Sequence, residues 1–163
     1  MGIGKDIQQN KFRNEYQKAA INLIFSSGFL QERIKDFLEP FDITEQQFNI
    51  LRILRGNNCC PLSTLQIRER MLDKMSDTSR MVDRLIKKEL VEKKPCSADK
   101  RLVDVTISTK GLELLATIDE KEEEFDSFLN NLTLEEAHTL NNLLDKMREP
   151  KPISGEAFTK NIN

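Results

Sequence analysis

Residues 97–111, SADKRLVDVTISTKG, combine a charged turn, a strand pattern and a helix start. The turn is the acidic-basic-basic triplet at residues 99–101. In the next six residues every second side chain is valine or isoleucine, and this period of two predicts a strand with one buried face. Ser108 is suited to cap a helix, whose pattern begins near Lys110. The sequence therefore places a cationic loop tip directly before a buried strand, whose inward-facing residues are Val103, Val105 and Ile107.

Two helices are predicted at the start of the chain. The first covers residues 10–38, and Pro40 ends it because the residue before a proline is disfavoured in helical geometry. Thr44 and Gln47 have the spacing of a capping box, which indicates the start of the second helix. GNNCCP at residues 56–61 predicts a loop.

Two more helices are predicted before the strands. One covers about residues 63–72 and turns Leu65 and Met71 towards the core. The other begins with Ser76 as its cap and ends near Lys88. Its predicted inner face consists of Met81, Val82, Leu85 and Ile86.

LVEKKP at residues 90–95 predicts a strand that forms a β-hairpin with the strand at 103–107. Helix, short turn, helix and hairpin is the order of a winged helix-turn-helix. Helices over 109–130 and from a capping box at 133–136 are predicted after the hairpin. The expected fold is therefore mainly α with a small β-hairpin wing (α+β), in which the terminal helices form a dimerisation layer.

The predicted organisation has three parts. Residues 1–40 and 110–150 form a helical dimerisation region, residues 41–109 form the winged helix-turn-helix lobe, and 151–163 form a loose tail. The dimer is expected because one small winged-helix core can hardly bury all the large apolar side chains of the terminal segments. These include Phe12, Phe25, Phe29, Phe125, Phe128, Leu132, Leu140 and Leu144.

The charge is unevenly distributed along the chain. Residues 62–110 hold 12 Lys/Arg and 8 Asp/Glu, a balance of +4, although the whole chain has a net charge of −2. A local basic excess indicates a polyanionic partner. No export signal or membrane-spanning segment is predicted, and three cysteines do not make a disulfide framework, so a cytoplasmic protein is expected.

The residue types of the fourth helix and the hairpin suit double-stranded DNA. A recognition helix needs a small, polar first turn to approach base edges in the major groove, while an arginine at a wing tip is attracted to the minor groove. Asp77 is expected to cap the helix or to accept a hydrogen bond from a cytosine. Arg84 is expected to contact DNA or to pair with Asp83. The predicted base contacts are Ser76, Thr78, Ser79, Arg80 and Arg101, the predicted phosphate contacts are Lys93, Lys94 and Lys100, and Asp99 is expected to hold Arg101.

These segments resemble the recognition helix and wing of the MarR (multiple-antibiotic-resistance regulator) family. SDTSRMVDRLIKKELVEKK at 76–94 is similar to the family pattern S-x-T-R-x-V-D-R-L, and DKRLVDVTISTKG at 99–111 is similar to D-x-R followed by L-T-x-x-G. Gly111 matches the last position, and Ser108 stands where threonine is usual. Glu89 departs from the usual glycine after the recognition helix, which predicts a different entry into the first wing strand.

The resemblance implies a homodimeric, sequence-specific DNA-binding transcription regulator. It would bind a palindromic operator as a repressor and be released by a small-molecule ligand. That ligand would lie between the helical dimer layer and the DNA-binding lobe. No cofactor and no metal are expected.

Two alternatives remain open. A winged-helix module that binds a protein would show no salt-sensitive DNA binding. A thiol-controlled regulator would use Cys59, Cys60 or Cys96, of which Cys96 lies nearest the predicted wing tip. An enzyme is not expected, since His138 has no partner nucleophile motif and no metal-spaced cluster beside it.

Overall fold

The computed structural model describes residues 2–9, 11–57, 60–95 and 103–150. The chain divides into two compact units, residues 1–128 and 129–163. The helices of the first unit are α1 (Ile3–Asp6), α2 (Glu15–Leu38), α3 (Glu45–Gly56), α4 (Thr64–Arg70), α5 (Thr78–Lys87), α6 (Thr109–Asp119) and α7 (Glu122–Asp126). Its strands are β1 (Leu62–Ser63), β2 (Val91–Pro95) and β3 (Val103–Ile107), and the second unit contains α8 (Leu134–Arg148).

Capping boxes start three of the helices. The boxes predicted at Thr44 and at Thr133 are both present, with Gln47 and Glu136 as their third-position partners. A third box, in which Ser63 pairs with Gln66, starts α4. Each box satisfies two backbone N–H groups that the helix itself cannot bond.

Helix α2 is shorter than the predicted helix 10–38. Asn14 caps it by accepting a hydrogen bond from the Gln17 N–H, so the helix begins at Glu15. Its end is as predicted, because the α-helix stops at Leu38 and a 3₁₀ turn that contains Pro40 follows.

The three strands form one antiparallel sheet in the order β1-β3-β2. The predicted hairpin is confirmed by the β2–β3 pairing, in which Val91 faces Ile107 and Lys93 faces Val105. Val105 and Ile107 are buried as the alternation predicts, whereas Val103 is only partly buried. The two-residue strand β1 was not predicted, and its Leu62 pairs with Val105 on the other edge of β3.

The helix predicted over 109–130 is wrong, because α6 ends at Asp119 and α7 begins at Glu122. The run DEKEEE at 119–124 places like charges three and four positions apart, which disfavours one continuous helix. After the break, Phe125 and Phe128 pack edge-on against Phe37, with ring centroids 5.6 and 6.0 Å away. Aromatic packing therefore stabilises the redirected segment.

The core of the first unit lies between α2, the sheet and α3 to α6. On α4 the inward residue is Ile67, and the predicted orientation of Leu65 is wrong, since 62% of it is exposed. Ile67 and Met71 lie four positions apart and share a helical face, whereas Leu65 does not share it. The most deeply buried side chains are Leu38, Ile50, Leu51, Leu54, Ile67, Met71, Val82, Leu85, Val105 and Leu115.

The second unit exposes an apolar stripe. Within α8, Leu140, Leu143 and Met147 are exposed at helical spacing, and no residue of this helix is buried. In the described part of the chain, none of the helices has both the length and the apolar character to cross a membrane.

Candidate nucleic-acid interface

Helix α5 is anchored on one face and open on the other. Val82 and Leu85 are fully buried, while the side chains on the opposite face are exposed. The exposed face carries Ser79, Arg80, Asp83 and Arg84. An amphipathic helix of this kind is positioned by its apolar side and presents its polar side to a partner.

The first turn of α5 is fixed by two aspartates. Asp77 is the N-cap, which confirms one of its two predicted roles, and the prediction of Ser76 as the cap is wrong. The Asp77 carboxylate accepts a hydrogen bond from the Arg80 N–H at 3.2 Å. Ser76 Oγ donates to Asp73 Oδ2 at 2.8 Å, and the Met75 N–H donates to Asp73 Oδ1 at 2.9 Å. The bond from Ser76 is the main reason why the pKa of Asp73 lies below its ordinary value, and the bond from Met75 adds to it.

The four predicted contact residues of this turn differ in exposure. Ser79 and Arg80 are exposed and available to a partner. Ser76 is 9% exposed and Thr78 only 4% exposed. Thr78 Oγ1 is buried without a hydrogen-bond partner among the described residues. The structure therefore presents Ser79 and Arg80 to a partner, whereas the hydroxyl groups of Ser76 and Thr78 lie buried in the turn.

The end of α5 is closed by a Schellman motif. The Leu90 N–H donates to the Leu85 carbonyl at 3.0 Å, and the Glu89 N–H donates to the Ile86 carbonyl at 2.9 Å. Glu89 follows the last residues of the helix and has a φ of 61°, which is the left-handed conformation in which glycine is usual. The prediction of a different entry into the wing is thus wrong, because Glu89 itself adopts the backbone geometry typical of glycine.

Strand β2 is tied to α5 by an ion pair. Lys93 Nζ lies 3.3 Å from Asp83 Oδ1, so Asp83 pairs with the wing and not with its neighbour Arg84. Lys94 is exposed and lies 3.1 Å from Glu92. Both lysines thus have a carboxylate nearby that a phosphate would have to displace.

The predicted wing tip falls outside the described residues. This concerns Asp99, Lys100 and Arg101, and also the thiols Cys59 and Cys96. Cys60 is described and exposed.

The comparisons with known proteins agree with this arrangement. The model of the MarR family matches residues 43–103. The multiple antibiotic resistance protein MarR of Escherichia coli is 30% identical over 116 residues, which cover 70% of this chain and 79% of that protein. This chain belongs to the MarR family.

Solved structures of the family support the same assignment. A mutant of E. coli MarR in complex with operator DNA superposes with a TM-score of 0.75 at 26% identity, over 86% of this chain and all of that one. A MarR transcription factor from Planctomyces limnophilus gives 0.64 at 28% identity, over 83% and 99% of the two chains. The predicted family and winged-helix fold are thus confirmed. As a member of the MarR family, this protein is a DNA-binding transcription regulator and not an enzyme.

Gly111 of this MarR-family chain is required by close packing. A Cβ atom there would meet the Leu90 carbonyl oxygen and lie 2.8 Å from Ile107 Cγ1. Ser108 caps the same helix start, since its Oγ accepts from the Gly111 N–H at 3.0 Å and donates to the Glu89 carbonyl at 2.7 Å. The motif S-T-K-G thus joins the wing to α6 at contact distance.

A cavity of about 470 Å³ lies between α2, α3, α6 and α7. Its apolar lining comprises Ile34, Phe37, Phe48, Leu72, Ile118 and Phe125. Its charged lining comprises Glu45, Arg52, Asp119, Glu122 and Asp126. The sequence did not indicate this cavity, because its lining is spread over residues 34–126 and no single motif contains it.

Two arginines of α3 bind Asp119 beside the cavity, and one of them, Arg52, lines it. Asp119 accepts hydrogen bonds from Arg52 Nη1 at 3.2 Å and from both terminal nitrogens of Arg55. The bond to Asp119 is the largest cause of the raised pKa of Arg55, and the charges of Asp119 and Glu122 add to it against an opposing effect of burial. The pair joins α3 to the end of α6.

A second, more open groove of about 720 Å³ lies beside the end of α5. Arg84, Lys87 and Lys88 line it together with residues of α2 and α3. Lys88 is paired with Asp42 at 2.7 Å. Arg84 thus lies at the rim of this groove and on the exposed face of α5. Among the described residues, no group of three or more histidine, cysteine and acidic side chains could hold a metal ion.

Proposed function

We propose that this protein is a homodimeric repressor that binds a palindromic operator and is released from it by a small-molecule effector. The observation that carries the proposal is α5, whose apolar face is buried while Ser79 and Arg80 are exposed in its first turn. A recognition helix contacts bases with its N-terminal residues. The likeness to the E. coli MarR mutant in complex with operator DNA supports this use of the helix.

The proposed DNA contacts follow from position and charge. Arg80 and Ser79 read the major groove, and Arg101 enters the minor groove beside the wing. Lys93, Lys94 and Lys100 contact phosphates.

Ser76 and Thr78 belong to the first turn of α5, and their burial favours a role in holding the backbone N–H groups of that turn towards the DNA. Arg84 contacts the flanking backbone.

The homodimer is proposed from apolar surface. The described part of α2 leaves large apolar side chains exposed, among them Tyr16, Ile24, Phe25 and Phe29. Helix α8 exposes a similar stripe. A twofold partner would cover such faces and would present two recognition helices to half-sites about one helical turn apart. The regions 1–40 and 110–150 remain the proposed dimerisation layer, and a regulator of this kind would act in the cytoplasm.

The effector is placed in the cavity between α2, α3, α6 and α7. This cavity adjoins both the proposed dimer layer and the DNA-binding lobe, because α2 and α6 belong to the first and α3 to the second. A ligand there could change the distance between the two recognition helices of a dimer.

The test is duplex affinity at several salt concentrations, with DNA from upstream of the protein's own gene and a shuffled duplex. Arg80→Ala and Arg101→Ala should each weaken specific binding by about 1–3 kcal/mol if they contact bases. Lys18→Ala is the matched control, since Lys18 is a partly exposed cation of α2 that is paired with Glu15 and lies outside the proposed DNA contacts. It should leave the affinity unchanged.

The outcomes separate the alternatives. Specific binding with a steep salt dependence supports the regulator. Specific binding that neither arginine variant weakens would overturn the proposed contacts. No specific binding at low salt, to this DNA or to a random pool, would overturn the proposed operator function.

A further inference from the structure

The cavity between α2, α3, α6 and α7 carries more negative than positive charge. Four carboxylates line it, from Glu45, Asp119, Glu122 and Asp126, against one guanidinium, from Arg52. Asp119 already pairs with Arg52 and with Arg55 behind it. The four carboxylates and the two arginines together carry a net charge of −2.

The remaining three carboxylates have no ion-pair partner within the described residues. This holds for Glu45 at the start of α3 and for Glu122 and Asp126 on α7. Lys121 is adjacent in sequence, but its Nζ lies over the Phe41 ring, 5.3 Å from the centroid. Of the three, Glu122 acts on Arg55 through its charge without forming an ion pair. Together the carboxylates leave a net negative potential at the cavity.

The walls of the cavity are suited to an apolar body. Phe37 and Phe125 pack edge-on at 5.6 Å, and Phe48 lies opposite on α3 beneath the Arg52 guanidinium. Aromatic faces attract cations through their quadrupole, and apolar walls take up the uncharged part of a ligand. A volume of about 470 Å³ accommodates a compact two-ring molecule.

We infer that the effector of this protein is an apolar organic cation, an amine or ammonium compound with an aromatic body, and not an organic anion. This inference rests on the proposed function, because it names the class of ligand for the effector site. The ammonium group lies among Glu45, Glu122 and Asp126. The aromatic body packs against Phe37, Phe48 and Phe125.

The experiment compares three probes of one shape and different charge on the full chain. Naphthylmethylamine is a cation at neutral pH, naphthylmethanol is neutral and naphthoate is an anion. Titration calorimetry should rank the amine first and the acid last. Release of a bound operator duplex should follow the same order.

Charge-neutral variants test the assignment of the carboxylates. Glu45→Gln, Glu122→Gln and Asp126→Asn should each weaken the amine about two- to fivefold, and the triple variant about tenfold or more. The triple variant should not weaken naphthylmethanol. Glu113→Gln is the matched control, because Glu113 is an exposed carboxylate of α6 outside the cavity. Circular dichroism and operator affinity without probe establish that each variant is folded.

Each outcome bears on one claim. Preference for the amine that is lost in the triple variant supports the inference. Preference for naphthoate, an amine affinity that the triple variant retains, or no binding of any probe would overturn it. Operator binding without probe stands apart from all three results, so the DNA-binding function can survive when the ligand class fails.

Discussion

At the scale of single residues, Glu89 occupies a backbone conformation that lowers the stability of the folded protein. Its φ of 61° is left-handed, and an L-residue other than glycine is strained there by contact of its Cβ with the following carbonyl. Glu89→Gly should therefore raise the thermal midpoint by about 2–4 °C. Thermal denaturation followed by circular dichroism measures the change.

The control for this prediction is Glu89→Ala. Alanine keeps the Cβ and the positive φ, and it removes the contact between Glu89 Oε2 and Lys110 Nζ at 2.9 Å. It should give no increase in the midpoint. An equal increase in both variants would show that the side chain and its ion pair, not the backbone, limit stability at this position.

Sequence patterns predict the structural role of a single residue well where its partner is close in sequence. The capping pairs at Thr44 and Thr133 involve side chains three positions apart, and both are present. The inward orientation predicted for Leu65 is wrong because a short helix offers few apolar positions from which to determine its face. The sequence predicts that Thr78 faces a partner, and only the packing of α5 shows that it is buried.

At the scale of elements, the junction between β2, β3 and α6 depends on the absence of a side chain at residue 111. Gly111→Ala would place a methyl group against the Leu90 carbonyl oxygen and the Ile107 side chain. Because a backbone carbonyl cannot move aside as a flexible side chain can, we expect a loss of about 1–3 kcal/mol in the free energy of unfolding. Urea denaturation measures it.

Gly56→Ala serves as the comparison for Gly111→Ala. Gly56 is the last residue of α3, and a Cβ there would meet no atom within 4 Å outside its own stretch of helix. Its substitution should be neutral or slightly stabilising. If Gly111→Ala were equally neutral, the wing and α6 would not be held at the close distance described above.

The order of the main helices and of the hairpin strands followed from the sequence, but strand β1 and the break between α6 and α7 did not. Strand β1 has two residues, so alternation cannot reveal it, and it exists because β3 offers a second edge. The segment after the break between α6 and α7 is held by aromatic packing of Phe125 and Phe128 on Phe37, which comes from a distant helix. Long-range packing of this kind overrides local helical periodicity.

At the scale of the whole molecule, the DNA-binding segment and the ligand cavity differ in how far sequence can reveal them. The recognition helix and wing are contiguous, so their residue types can be read together. The cavity combines Ile34 of α2 with Phe48 of α3 and Asp126 of α7. Only the fold brings these together, and no local period marks them.

The exposed apolar stripe of α8 gives the last prediction, which concerns assembly. Leu140 and Leu143 are 39% and 59% exposed, and burying a leucine at an interface contributes about 1.5–3 kcal/mol. The double variant Leu140→Glu/Leu143→Glu should therefore raise the dimer dissociation constant at least tenfold in sedimentation equilibrium. Operator affinity should fall with it, since a monomer contacts one half-site. Asn142→Glu adds a charge on the polar side of the same helix and should leave the dimer intact. A wild-type monomer would overturn the proposed homodimer. A double variant that remains dimeric would exclude α8 from the interface and leave the exposed face of α2 as the proposed contact surface.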